Sequence, residues 1–229
     1  KNNTITYSYD KLNRLKTTTD PFGIVISSRE YDANGNLIKE YDAKGNPEIY
    51  TYDLAGRLVK VTSREGNDTK FEFNHYGEKI KAIDGLCNAT AYEYDSVGRL
   101  TKVIDANGIK TTYTYDFSGN KLYTTDGRGK TTSYVYGAFG KLKSVKDADA
   151  GVRVYQYDLD DNVIQMIDKN GYHTNYIFDS RKLLLKKNVE ETGDSVTYSY
   201  DEVGNRTGMS DESGNTIYTY DANNRLTEI

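Results

Sequence analysis

Cysteine occurs once in this sequence, and proline and histidine twice each. The single cysteine, Cys87, cannot close an internal disulfide, so the fold does not depend on one. It lies in a segment that reads as strand, with no basic or histidine neighbour to activate it, and is expected to be a passive, half-buried thiol. His75 and His173 are far apart in sequence with no second histidine near either, which signals neither zinc ligation nor a histidine base. No hydrophobic run approaches the length of a transmembrane helix, so no membrane insertion is expected. Lysine plus arginine (30) nearly balances aspartate plus glutamate (34), and the net charge of −4 comes without a basic block, which argues against nucleic acid as a partner. There is no Gly-x-Ser-x-Gly elbow. Catalytic, cofactor-binding and metal-ligating residues are therefore all expected to be absent, and the protein is predicted not to be an enzyme.

Hydrophobic content is only 36%, yet the chain holds 22 tyrosines and 6 phenylalanines. Their placement explains the combination. In Tyr113-Thr114-Tyr115-Asp116-Phe117-Ser118-Gly119 an aromatic pair two residues apart is followed by Asp, two variable residues and Gly, and this pattern recurs about every 21 residues. Self-similarity at a fixed period is the signature of a repeat architecture. The aromatic positions are Tyr7 with Tyr9, Tyr31 alone because Arg29 replaces its partner, Tyr50 with Tyr52, Phe71 with Phe73, Tyr92 with Tyr94, and Tyr113 with Tyr115. They continue as Tyr134 with Tyr136, Tyr155 with Tyr157, Tyr176 with Phe178, Tyr198 with Tyr200, and Tyr218 with Tyr220.

Two residues apart on an extended chain means one face, so each pair points the same way while the intervening residue points oppositely. The following Asp can accept hydrogen bonds from backbone amides just downstream, and the Gly supplies the positive φ that lets a type I turn close a hairpin. Asp95 with Gly98 and Asp116 with Gly119 are such turns; Asp105 with Gly108 is a second kind, about ten residues on. Each repeat is thus predicted to be a β-hairpin. Rings on neighbouring repeats would stack or pack edge to face, each pair adding roughly 0.5 to 1.5 kcal/mol.

Pro21 suits the second position of a turn after Asp20, and Pro47 the start of a strand. The fourth copy puts Asn74 in place of Asp and carries an Asp84-Gly85 turn that reads as shortened. Asp161 and Lys182 stand where Gly is expected, and 188–193 reads as a longer, acidic, protruding loop. The last copy stops at Ile229 after half a hairpin. No Pro/Ser-rich linker interrupts the pattern, which predicts one continuous repeat domain over 1–229. The fold class expected is all-β: a single antiparallel meander of about 20 strands from tandem hairpin repeats. A sheet that large rarely stays flat, so it should coil into an open spiral or partial shell. Its two edge strands would leave unpaired backbone groups and invite end-to-end self-association.

Three local patterns invite other chemistry. Gly127-Arg128-Gly129-Lys130-Thr131 resembles the end of a phosphate-binding loop, but Thr124 stands where the first glycine is needed. Asp147, Asp149, Asp158, Asp160 and Asp161 crowd carboxylates without a calcium loop's closing Glu. Both read better as solvated hairpin turns. Exposed tyrosines beside Asp and Asn could stack on sugar rings, which keeps a carbohydrate- or receptor-binding array as an alternative function.

Tyr-x-Tyr-Asp-x-x-Gly-Arg-Leu, from Tyr92 to Leu100 and with small changes from Tyr50 to Leu58, resembles the RHS or YD repeat, and the resemblance covers essentially the whole chain. It implies large secreted or cell-surface proteins: bacterial polymorphic toxins, wall-associated proteins, shell subunits of insecticidal toxin complexes, and teneurins. In these the repeats coil as a β-sheet shell that can enclose a C-terminal effector. By that resemblance the chain is a non-enzymatic scaffold section, its partners being other repeats of its parent and an effector that the parent can enclose. The start at Lys1-Asn2-Asn3-Thr4, mid-pattern and without Met, fits a piece of something longer. The resemblance also implies a closing segment with a self-cleaving aspartate, of which Asp20-Pro21-Phe22-Gly23 is a mimic; its phase with the other turns makes it an ordinary turn.

Overall fold

A computed structural model describes residues 4–229. The chain divides into two compact units, Lys1–Thr111 and Thr112–Ile229. In the first unit the strands are β1 (Thr6–Tyr9), β2 (Leu15–Thr19), β3 (Val25–Tyr31), β4 (Leu37–Asp42), β5 (Pro47–Tyr52), β6 (Leu58–Thr62), β7 (Asp68–Phe73), β8 (Lys79–Ile83), β9 (Ala89–Tyr94) and β10 (Leu100–Ile104). The boundary falls inside β11 (Lys110–Tyr115). The second unit continues with β12 (Lys121–Thr125), β13 (Thr131–Tyr136), β14 (Leu142–Lys146), β15 (Val152–Tyr157), β16 (Val163–Ile167), β17 (His173–Phe178) and β18 (Leu184–Val189). It ends with β19 (Ser195–Tyr200), β20 (Arg206–Asp211), β21 (Gly214–Ile217), β22 (Thr219–Tyr220) and β23 (Leu226–Glu228). Among the described residues, 21 strands belong to one sheet and β22 with β23 makes a two-stranded ribbon. Within each unit consecutive strands pair antiparallel, except β21 and β22, which lie in different sheets.

Hairpins of two kinds alternate, and both close on the same pattern of backbone bonds. After most aromatic pairs an Asp amide donates to the carbonyl four residues on, as Asp53 N to Arg57 O at 3.0 Å, and a Gly amide donates back to the Asp carbonyl, as Gly56 N to Asp53 O at 3.0 Å. Gly56 has φ 75°. This is a type I turn followed by a left-handed residue, and in these hairpins the ladder beyond it carries a one-residue bulge. The bulge falls between Thr51 and Tyr52, where Thr51 opposes Lys60 but Tyr52 opposes Leu58. The hairpins about ten residues on run without such a slip in most repeats, as with Lys60 opposite Lys70 and Thr62 opposite Asp68.

The sheet has little interior. Among the described residues only Val145 and Thr174 are buried. From Tyr31 onward the paired aromatics are half-buried while the residue between each pair is exposed, the alternation that period-two geometry demands. Tyr7 and Tyr9 on β1 are both 56% exposed.

Several local expectations are corrected. Cys87 is exposed and sits in a turn, at φ 66°. Asp84-Gly85-Leu86-Cys87 is a full-length turn in which Cys87 takes the left-handed place and donates its amide to Asp84 O at 2.9 Å, so the segment is neither shortened nor strand. The acidic loop after β18 is one residue longer than its counterparts, closing with Val189 N on Asp194 O at 2.8 Å. Residues 190–194 are exposed, and the Glu191 side chain reaches His173. Asp161 and Lys182 do adopt left-handed conformations, at φ 73° and 65°.

Candidate functional site: a lattice of turns and rings

Most aromatic-pair turns are held by one carboxylate making several bonds. Asp95 Oδ1 accepts from Val97 N and Arg99 N, both at 3.0 Å, and Oδ2 accepts from Arg99 Nε at 2.7 Å. The Arg99 amide and guanidinium hold the Asp95 carboxyl below its usual range. Asp116 is held low in the same way, first by the Asn120 side chain, whose Nδ2 donates to Oδ2 at 2.8 Å. Asp105 accepts from Asn107 N and Ile109 N at 2.9 Å. Gly98, Gly108 and Gly119 lie at φ 85°, 78° and 89°. The residue after the left-handed position carries a role with no evident signal in the motif: Arg57, Asn120, Asn162, Asn205 and Arg225 stand there and clamp the second oxygen of the turn's Asp.

The arginine clamps also bind the next repeat. Arg14 Nη1 donates to Asp32 O at 3.3 Å while its guanidinium lies 4.5 Å from the Tyr31 ring centre. Arg57 repeats this with Asn74 O at 3.2 Å and Phe73 at 4.8 Å. A guanidinium above an aromatic face adds about 0.5–1 kcal/mol at an exposed site.

The tyrosine hydroxyls make a second tie. Tyr31 donates to Leu15 O (2.8 Å), Tyr52 to Leu37 O (2.9 Å), Tyr94 to Lys79 O (3.0 Å), Tyr157 to Leu142 O (2.9 Å) and Tyr200 to Leu184 O (2.9 Å). In each case the carbonyl belongs to the first residue of the preceding strand. The ladder between β2 and β3 reaches back only to Thr17, so the Leu15 carbonyl lies beyond it and takes the phenol instead. Burial pushes the phenols of Tyr52, Tyr94, Tyr157 and Tyr200 up, and that of Tyr50, also bonded to Glu48, up to about 12.

The rings do not form the direct stack the spacing suggested. Equivalent rings of adjacent repeats sit two strands apart, about 9.6 Å, beyond the roughly 4.5–7 Å of ring pairs. A side chain from the intervening strand fills the gap. Lys79 Nζ lies 5.7 Å from the Phe71 ring and 5.1 Å from Tyr92, Lys121 Nζ lies 5.8 Å from Tyr113 and 4.9 Å from Tyr134, and the Arg206 guanidinium lies 5.8 Å from Tyr198 and 4.7 Å from Tyr218. Elsewhere Val61 opposes Tyr50, Val103 opposes Tyr92 and Met166 opposes Tyr155. The ladder positions thus alternate ring and spacer.

Gly127 to Lys130 forms a hairpin turn on Asp126, with Gly129 at φ 77°, and Lys130 pairs with Asp149 at 2.6 Å. Asp158 is bound by Asn162, and Asp161 pairs with Lys141. One cluster had no sequence signal. His173 Nδ1 meets Glu191 Oε1 at 2.6 Å, and Glu190 is close enough that a ligand atom from each of the three lies within 4.8 Å of the others.

With the hairpin geometry in place, the comparisons decide the family. Residues 78–229 match the family described as Teneurin YD-shell. The chain belongs to the teneurin YD-shell family. Residues 31–68 match the RHS Repeat, which extends the same reading toward the N-terminal side. No curated protein matches in sequence. Among solved structures, this YD-shell chain resembles that of TcdB2-TccC3-TEV, with a TM-score of 0.75 at 17% identity over 97% of this chain and 14% of that one. It also resembles TcdB2-TccC3-Cdc42 (0.65, 15% identity, 97% and 15%) and a TccC3 mutant of the Photorhabdus luminescens Tc holotoxin pore (0.64, 15% identity, 98% and 15%). At such identities the likeness is one of fold. The chain spans only about one seventh of the length of these relatives. Among the described residues no helix is long and apolar enough to cross a membrane.

Proposed function

We propose that this chain is a non-enzymatic wall section of a secreted or surface YD-shell protein, and that the parent encloses or displays an effector domain. The observation that carries the reading is the direction of its polar groups. Turn arginines and tyrosine phenols reach the backbone of the neighbouring repeat, as Arg57 does at Asn74 and Tyr52 at Leu37. Side chains committed to neighbouring strands make a continuous wall. The likeness to shell-type toxin-complex structures supports the enclosing role, and the aromatic and turn positions named from the sequence are the residues proposed to hold the wall. Limited proteolysis of the parent chain tests it: an enclosed effector resists trypsin until the repeats are denatured. An effector cut as fast as the free domain would count against enclosure. A glycan array probes the alternative, since a carbohydrate-binding array would give saturable binding lost on substituting half-buried tyrosines.

A further inference from the structure

In the turns between repeats, as at Asp105 and Asp168, the carboxylate bonds the turn's own amides; after β18 that arrangement is broken. The longer loop is closed by backbone bonds, with Thr192 Oγ1 donating to Asp194 Oδ2 at 2.7 Å, so Glu190 and Glu191 are directed elsewhere. Glu190 N donates to His173 O at 2.9 Å, which places the loop directly across from the start of β17. Glu191 Oε2 accepts from His173 N at 2.7 Å and its Oε1 faces His173 Nδ1, while Asn175 Nδ2 holds Glu190 Oε1 at 2.6 Å. We propose that His173, Glu190 and Glu191 form a divalent-cation site of the zinc type. One imidazole and two carboxylates are the borderline nitrogen and oxygen donors such ions take, and two negative charges balance the ion. On binding, the proton between His173 Nδ1 and Glu191 Oε1 leaves to solvent and the metal takes its place. The ring then keeps its proton on Nε2, Glu191 Oε2 keeps the His173 amide, and Asn175 orients Glu190 as an outer-shell partner. The ion would fasten this longer loop to the strand pair beneath it.

Calorimetric titration of the whole chain with zinc chloride is the test. One equivalent should bind. Glu190→Gln, which leaves the His173–Glu191 bonds in place, and His173→Ala should each weaken binding at least roughly tenfold, since even losing an outer-shell partner costs that much. His75→Ala and Cys87→Ser, which remove the other histidine and the only thiol, should change nothing. Circular dichroism confirms that each variant is folded. Absence of saturable binding, binding removed by Cys87→Ser but kept by His173→Ala, or a preference for calcium over zinc would each overturn the assignment.

Discussion

The turn at Asp95–Arg99 and the turn at Gly137–Lys141 occupy equivalent places in their hairpins and reach the same register by different means. Both close with the first residue's amide on the fifth residue's carbonyl, at 2.9 and 2.8 Å. Both leave the second aromatic opposite a leucine, Tyr94 with Leu100 and Tyr136 with Leu142. Asp95 binds two amides of its turn, and Gly98 alone takes the left-handed conformation. Gly137 brings no carboxylate, so the inner bond moves to Lys141 N on Ala138 O at 3.4 Å, and both Phe139 (φ 60°) and Gly140 (φ 71°) become left-handed. The carboxylate therefore selects which residue takes the strained conformation, while the strand pair fixes the register.

If the strands hold the register, removing a ring should cost most where the turn is weakest. Tyr136→Ala is expected to destabilise by about 3 kcal/mol, more than Tyr94→Ala, with Tyr9→Ala smallest because that ring is mostly exposed. Equal denaturation midpoints for all three would break the comparison. Gly98→Val should cost about 2 kcal/mol, because a branched side chain is poorly tolerated at φ 85° and its Cβ would lie 3.0 Å from Glu78 Oε1. Gly98→Asn should cost less, and chemical denaturation compares them. The converse change, Gly137→Asp, supplies the missing acceptor at an extended residue (φ −92°, ψ −162°) with no close contact. It should stabilise by about 1 kcal/mol and return Phe139 to a right-handed conformation, which a crystal structure would show.

The smallest effect is acid sensitivity. Asp53, Asp95 and Asp116 have folded pKa values below the ordinary 3.8, held there chiefly by hydrogen bonds from the turn. Their contribution is present above that value and is lost as pH falls through the lowered ones. Thermal melting should therefore be steady near neutrality and drop below about pH 4, and Asp95→Asn should flatten the drop. A melting temperature indifferent to acid would show that the carboxylates matter little beside the strands.

The hairpins were legible because aromatic pairs and Asp-x-x-Gly turns carry two unambiguous periods. Cys87 was misread for a related reason: Gly85 looked like the end of a turn that runs on to Cys87, three residues after Asp84. The spacers between rings were hidden because Phe71 and Tyr92 look adjacent as repeats, though Lys79 on another strand stands between them. The clamp at Arg57 or Asn120 was present in the motif, but two residue types sharing one role concealed it. His173 and Glu191 are 18 residues apart and meet only through the pairing of β17 with β18, which no local pattern announces.

Because consecutive strands within a unit are joined by tight turns, tension applied along the stack would fall on one hairpin at a time. The hydrogen bonds of that hairpin would open in sequence from its end, as a zip opens, and only then would load pass to the next. Each repeat released would pay out about 21 residues, roughly 70 Å of chain. Yielding of this kind comes in many small, equal steps, and every tyrosine-to-carbonyl tie is a place where the tearing pauses.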